Sequence, residues 1–414
     1  MKTDMETDSL RPGRGSARRR LLVVVPKLHV GGTERHLLQV LPRLQRGQFE
    51  VSVFTTQGPG PLDDELRAGG VTVIPGPSVP FSRLRALSAG FRLPAVMSKL
   101  RPDLVHFFLP EAYIIGGLAS LAFPRTKRVM SRRSLNVYQR SRPLVRSLET
   151  RLHRSMDALI GNSGAAVQEL IAEGAPPERI GVILNGIDVD RYRAEGKAVA
   201  RQSLGLSEGS LVLSIIATLL PYKGHADLIA ALAAIRDRLP ADWTLLIAGR
   251  DEGLGESLRA RAESLGLANH IRWLGEVGDP DRLMRASDIG LLCSHEESLP
   301  NAVLEGMAAG LPMVVTRVGG CPELVDEEVT GLLVPARKPE AIGQAISALA
   351  DDPARRSAMG EAARQAAATR FSLAACVANY ESLYTAVLAE QSFPVSEILS
   401  EQAQGATTIR ADIG

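Results

Sequence analysis

Two glutamates eight positions apart, Glu297 and Glu305, lie in the stretch HEESLPNAVLEGMAAGLP (residues 295–312). Glu297 follows the apolar run DIGLLCS (288–294), which reads as a buried strand, so it occupies the loop at a strand's end. Glu305 lies in the next helix, read as about Pro300–Ala309, with Ser298 as its N-cap and Gly310 as its stop. Leu304, Met307 and Ala308 mark that helix as core-facing. A buried, unpaired carboxylate costs several kcal/mol or takes up a proton. A ligand with hydroxyl donors removes that cost. Spacing alone also fits a solvated helix edge.

Three other stretches can do related work. Lys223, in ATLLPYKGH (217–225), stands between an apolar run and a helix, where its ammonium can reach a diphosphate. In PKLHVGGTERH (26–36), Gly31 and Gly32 permit close approach of backbone to ligand, and Thr33 is placed to cap the helix that follows. The free N–H groups of such a helix start attract phosphate. The pattern is not G-x-G-x-x-G, so the nicotinamide fingerprint is absent there. VTRVGGCPELV (315–325) repeats the device of strand, Gly-Gly and helix start. Each stretch taken alone also reads as a tight turn or a surface lysine.

The elements that must position these residues alternate along the chain. Apolar runs at 21–26, 50–56, 71–76, 103–108, 127–131 and 157–163 are separated by segments of helical period, and ILNGIDVDRY (183–192) reads as a last strand running into a turn. The pattern then restarts with runs at 211–219, 243–251, 271–277, 288–294, 312–318 and 331–336. Alternation of this kind predicts an α/β fold of two Rossmann-like parallel-sheet domains with a cleft between them. Ligands bind outside the carboxyl ends of such strands. The expected organisation is a disordered tail (1–16), an N-terminal domain (17–192), a linker (193–210), a C-terminal domain (211–371), a helix packing back toward the first domain (372–390) and a polar tail (391–414).

Composition narrows the class. The chain has 414 residues, 45% hydrophobic and 23% charged, as expected of a globular protein. No apolar run reaches the roughly 18 residues of a membrane span, and Leu21–Val25 is too short for the core of a signal peptide. Cys293, Cys321 and Cys376 lack metal-ligand spacing, which fits a reducing, cytoplasmic setting. Charge is uneven: residues 1–180 hold 27 Lys+Arg against 15 Asp+Glu, and the remainder 21 against 31. A basic half suits a phosphate-rich surface.

Glu297 and Glu305, with seven residues between them, resemble the E-x7-E signature of retaining glycosyltransferases of family 4, which have the GT-B fold. NAVLEGMAAGLPMVVTRVGGCPELV, LPYKGHADLI, VGGTERHLLQVL and GNSGAAVQELIAEGAPPERIGVILNGID resemble that family's blocks in order, over roughly residues 20–390. The resemblance implies transfer of a hexose-type sugar from a UDP- or GDP-sugar to a lipid-linked glycan or cell-surface polysaccharide precursor. It implies that Lys223 neutralises the diphosphate, Glu305 binds the ribose hydroxyls and Glu297 binds the transferred sugar. Leu299, Asn301 and Ala302 cradle phosphate, with Gly31 and Gly32 opposite. No metal and no cofactor are expected. Front-face attack is favoured, with the leaving phosphate taking the acceptor proton. Many relatives carry an arginine where this chain has Thr218; Arg250 is the candidate substitute. Relatives often show H-x-H where this chain reads His106-Phe107-Phe108. His106 is kept as a catalytic or acceptor-orienting candidate.

The basic half then has a use. Residues 81–154 hold 15 Lys+Arg against Asp103, Glu111 and Glu149. FSRLRALSAGFRLPAVMSKL (81–100) combines apolar spacing with arginines, which predicts peripheral contact with an anionic inner membrane face. Few aromatics are interleaved, so nucleic acid is not expected as a partner. Arg132 and Arg133, in SRRSLNVYQR (131–140), are candidates for holding an anionic group of the acceptor. Two rivals remain at this stage, a non-catalytic sugar-nucleotide-binding protein on the same fold and a nucleotide-sugar epimerase. The paired glutamates disfavour the second.

Overall fold

The computed structural model describes residues 18–29, 31–78, 82–135, 142–193 and 196–391. The expected tails at 1–16 and beyond Gln391 lie outside the described residues, as do Phe81 and positions 136–140 of the arginine-bearing loop.

The first sheet contains β1 (Arg19–Val25), β2 (Phe49–Thr55), β3 (Thr72–Ile74), β4 (Leu104–Phe108), β5 (Lys127–Arg132), β6 (Ala158–Gly161) and β7 (Ile180–Val182). Their order is β3-β2-β1-β4-β5-β6-β7, all parallel. The second sheet contains β8 (Val212–Ile216), β9 (Thr244–Ala248), β10 (Ile271–Gly275), β11 (Ile289–Leu292), β12 (Met313–Thr316) and β13 (Gly331–Val334). Their order is β10-β9-β8-β11-β12-β13, again parallel. In both sheets the winding reverses beside the first strand, at β1/β4 and β8/β11. Crevices open at the carboxyl ends of strands at such reversals.

Apolar runs make these strands because both faces are covered by helices. Along β1, Leu21, Val23 and Val25 join a core under the helices Gly32–Arg46 and Leu373–Leu388. Leu22 and Val24 point the other way, into a core shared with Leu93, Met97 and Tyr113. Each fully buried Val or Leu contributes about 1.5–3 kcal/mol relative to exposure. In the second domain, Leu213 and Ile215 pack beneath the helices His225–Ile235 and Pro339–Ala350.

Two elements differ from the sequence reading. The last strand of the first sheet is Ile180–Val182, not part of 183–192, which is irregular and ends in a 3-10 turn at Val189–Arg193. Within the supposed linker, Lys197–Ser203 forms a helix. It packs Ala200 against Leu283 and Ala286, and Arg201 pairs with Asp288 at 2.7 Å. The helix Leu373–Leu388 contributes Tyr380, Leu383 and Tyr384 to the core of the first domain.

Candidate active site

A cleft of about 350 Å³ lies between the two domains. The second domain supplies Thr218, Lys223, Arg250, Glu297, Leu299, Asn301, Ala302 and Glu305, and the first supplies Gly31, Gly32 and Arg133. Every residue expected at the donor site therefore lines one cleft. His106 and Arg132 do not.

Local sequence explains the second-domain wall. Gly224 has φ +71°, and a Cβ there would stand 1.9 Å from the carbonyl oxygen of Cys293. Only glycine lets the Lys223 turn lie on the end of β11. Gly319 does the same for the loop of Glu297: its φ is +51° and a Cβ would stand 1.6 Å from the Glu297 carbonyl oxygen. Gly320 N–H donates to the Ser298 carbonyl at 2.8 Å. So held, Glu297 Oε1 accepts from Lys223 Nζ at 2.5 Å and from Ser294 Oγ at 2.7 Å. Lys223 also lies 5.1 Å from the ring centroid of Tyr222.

The helix that carries Glu305 runs Asn301–Ala308, with Pro300 as its N-cap and no side-chain cap bond. Ser298, expected to cap it, instead donates to Asn162 Oδ1 across the domain boundary at 2.5 Å. The helix start is left open to the cleft. Likewise Gly31, not Thr33, caps the helix Gly32–Arg46, again without a side-chain bond. Glu305 is half-buried, and burial raises its carboxyl above the usual range. The fields of Arg35 and Arg191 oppose that rise and Asp281 adds to it.

The walls touch through a chain of hydrogen bonds. Arg133 Nη2 donates to Asn185 Oδ1 at 2.7 Å, and Asn185 Nδ2 donates to Asn301 Oδ1 at 2.6 Å. Asn301 Nδ2 donates in turn to the Gly32 carbonyl at 2.8 Å. Further out, both oxygens of Glu323 accept from Gly164 N–H at 2.9 Å, so the second domain caps the first-domain helix Gly164–Ala172.

Two expectations are corrected. His106 is fully buried on β4, with Nδ1 against the Tyr384 hydroxyl and Nε2 against Ser131 Oγ, each at 2.8 Å. With both nitrogens engaged and no access to the cleft, it cannot orient an acceptor. Arg132 is buried between Glu173 at 2.8 Å and Glu149 at 3.6 Å, beside His153, which also meets Glu173 at 2.8 Å. Arg133 alone of that pair faces the cleft.

Sequence reasoning missed Arg35, Asn162, Asn185 and Glu276, which also line the cleft. Position could have found three of them. Asn162 directly follows β6, Glu276 directly follows β10, and Asn185 stands three residues past β7. Arg35 lies one turn beyond the Gly31-Gly32 pair.

Comparison with known proteins agrees with this layout. Residues 30–191 match Glycosyltransferase Family 4 and residues 197–366 match Glycosyl transferases group 1. A D-inositol 3-phosphate glycosyltransferase of Saccharomonospora viridis is 30% identical over 372 residues, 83% of this chain and 86% of that one. One from Corynebacterium glutamicum is 35% identical over 258 residues, 60% of this chain and 61% of that one. Among solved structures, Anabaena HepE in complex with UDP and glucose has a TM-score of 0.80 at 23% identity, covering 89% of this chain and 100% of that one. WaaG, a glycosyltransferase involved in lipopolysaccharide biosynthesis, has a TM-score of 0.70 at 20% identity, covering 88% and 99%. Two Rossmann-like domains facing across a cleft define the GT-B fold. The chain belongs to the family 4, group 1 glycosyltransferases and is a transferase.

Proposed function

We propose that the protein moves a hexose from UDP- or GDP-hexose to its acceptor with retention of configuration at the anomeric carbon. The observation that carries this reading is the meeting of Lys223, Glu297 and Glu305 in one cleft, with Gly31 and Gly32 opposite. Lys223 and Arg250 neutralise the diphosphate, in the place of the missing arginine at Thr218. The N–H groups at Asn301 and Ala302 receive phosphate at the open helix start. Glu305 accepts the ribose hydroxyls, which offset the cost of burying its charge. Glu297, released by Lys223, accepts hydroxyls of the sugar. Lysine and helix start do here what a metal ion does elsewhere. The bond from the anomeric carbon to phosphate oxygen breaks as the bond to the acceptor oxygen forms on the same face. The acceptor proton passes to the departing phosphate.

The acceptor in this reading is a polyol or glycan, lipid-linked or a cell-surface polysaccharide precursor. Relatives named for D-inositol 3-phosphate support a polyol. A membrane-borne acceptor draws support from the outer face of the first domain. Phe91 and Leu144 are 79% and 86% exposed, on helices Ser82–Leu100 and Pro143–His153. Both helices pack against Pro110–Ser120, and Arg92, Lys99, Arg146 and Arg151 are exposed on them. Apolar tips among cations suit anionic headgroups. Among the described residues no helix is long and apolar enough to cross a membrane. Sedimentation with anionic vesicles at low salt tests this part, and a protein left in the supernatant sinks it.

The donor assignment is tested by thermal shift with UDP-, GDP- and ADP-sugars. One donor should raise the melting temperature, and Glu305→Gln should abolish the rise. An undiminished rise in that variant removes Glu305 from the ribose site. The product's anomeric configuration, read by NMR, decides retention.

A further inference from the structure

Arg133 has no task in the donor reading. It lines the cleft from the first domain, while the diphosphate already has Lys223, Arg250 and the helix start at Asn301. Lys223 and Arg250 each pair with a carboxylate, Glu297 and Glu252. Among the described residues no carboxylate pairs with Arg133. Its Nη2 reaches Asn185, and from behind it the Tyr380 hydroxyl, a neutral group, is within hydrogen-bond reach.

The groups behind Arg133 do not supply an anion. Burial and the charge of Arg133 hold His36 and His106 well below the usual imidazole range, so both are neutral. Burial pushes the Tyr380 hydroxyl up to about 12 and the Cys376 thiol up to about 11, so both keep their protons at neutral pH. Glu34 feels the charge of Arg133, yet it makes no ion pair with it. It is buried beneath Gly31, and burial raises its own carboxyl. A half-buried guanidinium with a neutral backing and no paired carboxylate costs free energy until an anion reaches it.

We infer that Arg133 is the seat of an anionic group, a phosphate monoester or carboxylate, carried by the acceptor. The inference rests on the donor reading, which gives the diphosphate its own cations on the opposite wall. A guanidinium offers a planar pair of N–H donors that match two oxygens of such a group. Arg133 stands on the first-domain wall, where the donor reading places Gly31 and Gly32 but no cation, and Asn185 fixes one of its terminal nitrogens.

Calorimetric titration of the full-length, UDP- or GDP-saturated protein with D-inositol 3-phosphate and with neutral inositol tests this. The phosphorylated polyol should bind at least about tenfold more tightly, the range of a charge-assisted bond. Arg133→Met should erase that preference and Arg133→Lys should keep part of it, with nucleotide affinity unchanged in both. Equal binding of the two polyols by the wild-type protein overturns the inference, as does an undiminished preference in Arg133→Met. Loss of nucleotide affinity in Arg133→Met assigns the residue to the donor and also overturns it. A preference for UDP-glucuronate over UDP-glucose that vanishes with Arg133 places the anion on the sugar, again against the inference. A wild-type protein that binds no nucleotide sinks the donor reading instead, and the polyol comparison is then read on the ligand-free protein. Should Arg133→Met not fold, Arg133→Lys carries the same comparison.

Discussion

The two walls of the cleft are built from different kinds of position. On the second-domain wall, Lys223, Glu297 and Arg250 sit in turns just past strand ends, and glycines with positive φ press two of those turns together. On the first-domain wall, the candidates His106, Arg132 and Arg133 sit on or beside strands, where each successive side chain changes face. A turn residue's exposure follows from the turn. A strand residue's exposure depends on what covers its face. His106 shares its face with Leu104 and Phe108, and the helix Leu373–Leu388 covers that face from far along the sequence. Arg132 and its neighbour Arg133 part company for the same reason, one to an internal carboxylate pair and one to the cleft.

Substitutions can break or sharpen this contrast. Arg132→Met should have the largest effect, since it removes the buried guanidinium that lies between Glu173 and Glu149: about 3–5 kcal/mol in chemical denaturation, with nucleotide affinity intact. Lost affinity at full stability would return Arg132 to the cleft. Lys223→Ala should invert the pattern, lowering donor turnover by about 10²–10³-fold with a smaller change in stability. Wild-type turnover in that variant would remove Lys223 from the diphosphate. Acid should reach the Lys223 turn through His225, lowered to about 4 by burial and by the charge of Lys223. Its ordinary value is higher, so the unfolded chain binds the proton first. Stability is then lost as pH falls from about 6.5 toward 4, by up to about 3 kcal/mol. His225→Gln should flatten that limb in melts recorded across pH, and an unaltered limb would exclude His225 as its source. His106→Asn should have the smallest effect, about 1–3 kcal/mol of stability from its two hydrogen bonds, with turnover unchanged in the folded enzyme. A larger fall in turnover than in stability would revive a catalytic histidine.

The same division explains what the sequence discloses. Strands buried on both faces appear as apolar runs, so twelve of the thirteen strands among the described residues overlap the expected runs, nine of them lying wholly inside. The exception, Ile180–Val182, is three residues long and continues without a break into Ile183 and Leu184, so its apolar run hides where pairing stops. The helix Lys197–Ser203 escapes because its anchors are one alanine and one arginine, Ala200 and Arg201, whose partner Asp288 is distant in sequence. Ser298 has the composition and spacing of a cap, but Asn162 of the other domain takes its hydroxyl. In each case the missing information is a contact between segments far apart along the chain.

Glu323 has a use of this kind for the experimenter. A helix whose first amide is capped by another domain carries a natural gauge of the distance between them. With the domains together, the Gly164 amide is tied to a carboxylate. With the domains apart, it meets water. Hydrogen exchange at that one amide therefore registers how often the cleft gapes, in the unmodified protein and without a label.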